Sequence, residues 1–232
     1  MKPKLLQLAI DNKAAPKAFA VRAEGNATRI DLYDVIDDYY GVSAADFTAA
    51  LNSIEGGDIS LHINCPGGDV FAARAMVAAI AAHPCKVTAY VDGLAASAAS
   101  YVAMACDKVV MQDGALLMIH NAWTLSMGNA ADMRATADLL DKIDGTIVAD
   151  YQRKTSMDPE IIKQMMAAET WLTAQESIDF GFADEIATND KGRAKNAWNL
   201  SAYANAPKPE PELITDPNAA TRSRMLALLD RI

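Results

Sequence analysis

The chain has 232 residues, 51% of them apolar, enough to bury one sizeable core with a tail outside it. Its formal net charge of −9, with no basic patch interleaved with aromatics, speaks against nucleic acid as a partner, and no stretch approaches the ~20 uncharged apolar residues of a membrane span. Three cysteines, Cys65, Cys85 and Cys106, are too few and too odd in number for a disulfide framework, so a reducing cytoplasm is the expected location.

In chain order, residues 1–15 read as a polar, mobile arm whose apolar run stops at Ile10 before Asp11, too short for a signal peptide. Short strands are predicted at 18–23 and 28–33. Ser43 then caps a helix over 44–54, with Phe47, Leu51 and Ile54 at helical spacing. From Ile59 onward the pattern alternates: strand 59–64, helix 70–83, strand 86–92 broken at Gly93, helix 98–106, and strands 108–112 and 115–119. Such alternation implies βαβ units and a largely parallel sheet, with functional groups at the carboxyl ends of strands.

Past a loop at 121–128, Asn129 caps a long helix reaching about Thr155. Met133, Leu140, Ile143, Ile147 and Tyr151 stripe it, an apolar face that a projecting helix has too little core of its own to bury. Thr173 and Glu176 form a capping box for a short helix ending at Gly181. Pro207, Pro209, Pro211 and Pro217 then mark a stiff linker that cannot join the core, before Asn218 opens an amphipathic helix carrying Met225, Leu228, Leu229 and Ile232. The division expected is an arm at 1–15, a domain at 16–190, a linker at 191–217 and a helix at 218–232.

Three short stretches carry chemistry: Asn64-Cys65-Pro66-Gly67-Gly68, Gly93-Leu94-Ala95-Ala96-Ser97 and Met118-Ile119-His120. Acyl transfer needs a nucleophile, a base, and backbone N–H groups aimed at the developing oxyanion. Gly67 and Gly68, between a strand and a helix, present amides without side chains, and Ser97 falls at the start of an apolar helix where the N–H of Ala98 points outward. Each piece has an ordinary reading: a packing serine among alanines, a turn, a surface histidine. Their order is what carries weight. His62 alternates away from the apolar set of its strand and His83 ends a helix before Pro84, so both read as structural, and nothing has the spacing of a zinc site.

This ordered set resembles the Clp protease proteolytic-subunit family, and within it the phage and prophage head-maturation (prohead) serine proteases. The resemblance runs from about Thr28 to Ala187 and includes a closing stretch from Trp171 to Asp184. It implies an α/β fold of the crotonase/ClpP type, with repeated ββα units and a projecting handle helix that packs rings of six or seven copies together, stacked or single. It further implies Ser97 as nucleophile, His120 as general base, the N–H groups of Gly68 and Ala98 as the oxyanion hole, and no cofactor or metal. The family's third member is normally an aspartate; its place here holds Glu169, which can orient an imidazole over a slightly longer reach, with Asp158, Asp179 and Asp184 as competitors. The family usually has serine where Cys65 stands, and Cys65 is expected to be a small buried filler.

The substrate so implied is polypeptide, such as a capsid scaffold, cleaved in the host cytoplasm or a procapsid. Three alternatives share parts of the pattern. A degradative peptidase fed by an AAA+ unfoldase needs docking surfaces not identifiable here. An acyl-CoA enzyme of the crotonase family shares the oxyanion hole but needs no Ser/His pair, and a non-catalytic assembly protein would tolerate the loss of Ser97.

Overall fold

Alternation of apolar and polar residues sets the centre of the sheet. On β3 (Asp58–Cys65), Ile59, Leu61, Ile63 and Cys65 are buried while Ser60, His62 and Asn64 lie half-buried on the other face. In the computed structural model, which describes residues 4–15, 17–187 and 198–207, β3 lies between β2 (Ala27–Tyr33) and β4 (Val87–Ala96), parallel to both. β5 (Lys108–Gln112) and β8 (Glu185–Ala187) continue the parallel run beyond β4, and β1 (Ala18–Glu24) closes the other edge antiparallel to β2. Helices α2 (Ala44–Asn52), α3 (Val70–Ala82) and α4 (Ala98–Met104) occupy the crossovers. This is the mixed α/β architecture expected. Ser43 caps α2 by accepting from the Asp46 amide, and Asp69 caps α3 by accepting from Phe71 and Ala72.

β4 does not break at Gly93. Its first half, Thr88 to Val91, pairs with β5, and its last residues, Leu94 to Ala96, sidestep to pair with β6 (Leu116–Ile119). Small, buried residues permit this: Gly93, Ala95 and Ala96 have no bulk that would force the strand out of the sheet. β6 in turn pairs antiparallel with β7 (Thr170–Thr173), which leads into α7 (Ala174–Asp179) through the expected Thr173–Glu176 capping box.

The long helix α5 (Ala130–Thr155) starts at Asn129 in a capping box with Asp132. Its stripe divides in two. Ile143, Ile147, Val148 and Tyr151 are buried within this chain, whereas Met133 and Leu139 in the first half are exposed. Only the first half of the apolar face therefore lacks cover, because the second half packs on α4 and α6 (Pro159–Ala167).

The ends of the chain depart most from expectation. The arm is helical over α1 (Lys4–Asp11), and part of the expected linker, 198–207, is packed rather than extended. Leu8, Trp198, Leu200 and Tyr203 bury one another with Leu94, Ala96 and Met118, and Asn12 exchanges hydrogen bonds with Asn199, its side-chain amide donating to the Asn199 carbonyl at 2.9 Å and its oxygen accepting from the Asn199 amide at 2.6 Å. The physical reason is local. The linker's prolines begin only at Pro207, and two short stretches too small to bury themselves do so jointly. The rest of the linker at 191–197 and 208–217 and the helix expected at 218–232 lie outside the described residues.

Candidate active site

Sheet register brings three strand ends together. Cys65 pairs with Ala95 across β3 and β4, and Ala96 pairs with Met118 across β4 and β6, so Gly67-Gly68, Ser97 and His120 emerge side by side at carboxyl ends. The Ser97 amide donates to the Met118 carbonyl at 2.8 Å, fixing the serine backbone to the sheet, and α4 begins at the next residue, Ala98.

Ser97 adopts φ 54° and ψ −123°, outside the usual regions for a non-glycine residue. Strain of this kind costs on the order of 1–3 kcal/mol and persists only where surroundings enforce it. Here the Ser97 carbonyl accepts from the Ser100 amide at 3.0 Å and from the Ser100 hydroxyl at 2.7 Å, and the same hydroxyl lies 2.8 Å from that of buried Tyr151. The result is a sharp strand-to-helix turn that exposes Oγ. Ser97 Oγ lies 2.8 Å from His120 Nε2, within the hydrogen-bond reach that a nucleophile and its base require.

The glycine loop is held by Ile36. Its amide donates to the Gly67 carbonyl at 2.9 Å and its carbonyl accepts from the Asp69 amide at 2.8 Å, so Gly68, between them, directs its own amide to the opposite side. A Cβ on Gly68 would sit 2.0 Å from the Ile36 carbonyl oxygen, and one on Gly67 would sit 2.7 Å from both the Ala96 carbonyl and Ser97 Cβ. Only glycine lets the loop approach the nucleophile this closely. Cys65 just before it is fully buried, as expected of a filler, and burial pushes its thiol up to about 12.

Gly68, Ser97, Ala98 and His120 open onto one groove of about 340 Å³. Asp69 and Phe71 form one wall, Trp123 to Leu125 another, and Leu139, Leu140, Ile143 and Ile147 of α5 a third. The groove is mostly apolar, and the Ser97–His120 pair opens onto it.

Glu169 immediately precedes Thr170, whose β6 partner Ile119 immediately precedes His120. Its carboxylate accepts from the backbone amides of Ala204 at 3.1 Å and Asn205 at 2.6 Å, with the Trp171 indole N–H 3.4 Å away. The competing aspartates have other duties. Asp158 caps α6, Asp179 accepts from Gln175, and Asp184 accepts from the Val109 amide and pairs with Lys154. His62 Nδ1 lies in hydrogen-bond contact with Asp92 at 2.6 Å and its ring stacks on Tyr90, and His83 closes α3, accepting from the Cys85 amide. Among the described residues no group of three His, Cys, Asp or Glu side chains could hold a metal ion.

Sequence reasoning misses one residue altogether. Tyr203 is buried against the site, its ring edge-on to His120 at 5.5 Å and to Trp171 at 5.7 Å, its hydroxyl donating to the Pro66 carbonyl. Burial pushes its phenol up, with the Ser97 hydroxyl beside it acting the other way. The available signal is faint: Trp198, Leu200 and Tyr203 are apolar residues ahead of the first linker proline.

A family model described as Clp protease matches residues 24–190. The chain is 33% identical over 157 residues to an ATP-dependent Clp protease proteolytic subunit of Bacteroides fragilis, covering 65% of this chain and 74% of that protein. It is 31% identical over 133 residues to an ATP-dependent Clp protease proteolytic subunit 2 of Mycolicibacterium paratuberculosis, covering 56% and 67%. A proteolytic subunit from Deinococcus radiodurans is 28% identical over 131 residues, covering 56% and 64%.

Proposed function

The chain belongs to the Clp protease family of serine-type peptidases, and from that premise we propose that it is an endopeptidase in which Ser97 is the nucleophile and His120 the general base. Ser97 Oγ attacks the peptide carbonyl as His120 Nε2 takes its proton, and the amides of Gly68 and Ala98 hold the oxyanion. His120 then protonates the leaving amine. Water, deprotonated by His120, attacks the acyl carbon, the bond to Ser97 Oγ breaks, and the proton passes from His120 back to Oγ. Glu169 is assigned to steadying the imidazole. The observation that carries the reading is the 2.8 Å contact of Ser97 Oγ with His120 Nε2 at the mouth of the groove. Treatment with a fluorophosphonate probe followed by mass spectrometry should give an adduct on Ser97, abolished in Ser97→Ala together with peptide hydrolysis; a protein that hydrolyses peptides but labels elsewhere defeats the assignment.

The substrate is assigned as polypeptide, and the resemblance of the motifs to the phage and prophage branch supports capsid scaffold or internal head proteins. Assembly into rings of six or seven copies is supported by the uncovered first half of α5, and sedimentation measures it. The second reading, a degradative peptidase served by an AAA+ unfoldase, is favoured by the relatives' own description as ATP-dependent. The two separate on one assay. A head-maturation protease processes scaffold alone, whereas a degradative subunit destroys folded proteins only with ATP and the unfoldase.

A further inference from the structure

The groove lies on one side of the Ser97–His120 pair, and the chain near its carboxyl end covers the other. Trp198 donates its indole N–H to Asn64 at the end of β3, to the carbonyl at 3.2 Å and to the side-chain oxygen at 3.1 Å. Asn205 fastens the other end, its amide on the Glu169 carboxylate and its side-chain N–H₂ on the Ala168 carbonyl at 2.8 Å. Between these anchors, the Tyr203 amide closes a turn onto the Leu200 carbonyl at 2.9 Å and its side chain enters the site. That side chain touches the base by its ring, sits beside the nucleophile, and holds the Pro66 carbonyl just ahead of Gly67 and Gly68.

We infer that Tyr203 is a positioning residue for His120 and the glycine loop, and that Glu169 acts on the site through it, by holding the backbone of Ala204 and Asn205. The inference rests on the Ser97–His120 reading and specifies how the third carboxylate serves it. Both Glu169 oxygens receive a backbone amide from the segment, and Glu169 itself takes φ 50°, a left-handed conformation that a glutamate keeps only under constraint. The segment is a buttress and not a plug, because none of the residues lining the groove comes from 198–207. A ring packed edge-on against an imidazole restricts its motion about the side-chain torsions. Misplacing a reacting group by about 1 Å is worth on the order of 10²-fold in rate.

The test measures kcat and KM on a fluorogenic peptide for the full chain, Tyr203→Leu, Tyr203→Phe, Glu169→Gln and the double variant Glu169→Gln/Tyr203→Leu, with Ser97 labelling and thermal melting on each. Tyr203→Leu should lower kcat about 10–100-fold with KM within about twofold, and Tyr203→Phe, which keeps the ring, should recover most of it. The double variant should be no worse than the poorer single, since both changes act through one segment. Hydrogen exchange at 198–205 supplies a reading that does not depend on Tyr203→Leu folding: Glu169→Gln should speed exchange there and lower kcat together. A folded Tyr203→Leu with unchanged kcat, losses that multiply in the double variant, or a drop in kcat for Glu169→Gln with unchanged exchange would each overturn the inference. Absence of Ser97 labelling in the unaltered chain would instead overturn the reading beneath it.

Discussion

Replacing Gly68 by alanine tests the oxyanion assignment with a perturbation whose size follows from the coordinates. The new methyl would stand 2.0 Å from the Ile36 carbonyl oxygen, where ordinary van der Waals contact begins at 3.4 Å, and 2.7 Å from the carbonyl carbon and the amide nitrogen of the same residue. The obstruction is backbone at every point, so no rotamer change relieves it. Either the loop or Ile36 has to retreat by about 1 Å, and both are tied together by the hydrogen bonds of Gly67 and Asp69. A donor displaced that far no longer points where the oxyanion forms. Loss of one such donor is worth about 10²–10³-fold in kcat, or ~2.7–4 kcal/mol of transition-state stabilisation. Gly68→Ala should therefore lower kcat by that factor on a fluorogenic peptide, with KM nearly unchanged because the groove walls on α5 are untouched. A melting curve for the variant establishes that the loop and not the fold has been altered. A folded Gly68→Ala within about threefold of the original kcat would refute the assignment.

Four further outcomes follow from burial and packing. Aspartate at Ile143 or Ile147 should unfold the chain, costing ~3–5 kcal/mol in a denaturant titration, because both are buried within the protomer, whereas Met133→Asp on the exposed first half of α5 should keep its melting temperature and sediment as a smaller species. A chain ending at residue 207 should hydrolyse small peptides normally, and one ending at 197 should lose most of that activity along with the Trp198 and Tyr203 contacts; equal activity would mean that the segment is dispensable. Burial pushes the Cys65 and Cys106 thiols up to about 12, so both should resist iodoacetamide at pH 8 while half-buried Cys85 alkylates, as read by mass spectrometry. Because these folded values lie above the ordinary thiol value of 9, the stability they contribute is complete below about pH 9 and is lost as pH rises from there toward 12; a melting temperature constant over that range would contradict the burial.

Most of the sheet and the pairing of Ser97 with His120 are legible in the chain because their signals are local. Ile59, Leu61 and Ile63 alternate within one strand, Ser43, Asn129 and Thr173 cap helices by contacts three residues away, and Ser97 and His120 each end an apolar run. What is not legible depends on partners distant in sequence. Nothing in the composition of 198–205 indicates that Trp198 meets Asn64 or that Tyr203 meets Pro66, since the first pair is 134 residues apart and the second 137. Glu169 shows the same limit in one residue. It adjoins the last pair of the β6–β7 ladder, one residue from a strand end that leads to His120, yet the amides its carboxylate receives come from a segment that reads as linker.

The small residues around Ser97 explain why packing and chemistry are hard to separate in this sequence. Three strand ends can converge on one serine only if their backbones come nearly into contact, and the would-be Cβ of Gly67 at 2.7 Å from the Ala96 carbonyl measures how close they come. Ala95, Ala96, Ala98 and Ala99 are buried for the same reason, each occupying a position where a larger side chain would push the glycine loop, β6 or α4 away from the nucleophile. A run of alanines that reads as an apolar helix start is thus also what lets the glycine loop, the Ser97 hydroxyl and the His120 imidazole lie side by side. Bulk absent there is supplied from behind by Tyr203, whose ring fills the space next to His120 without entering the groove.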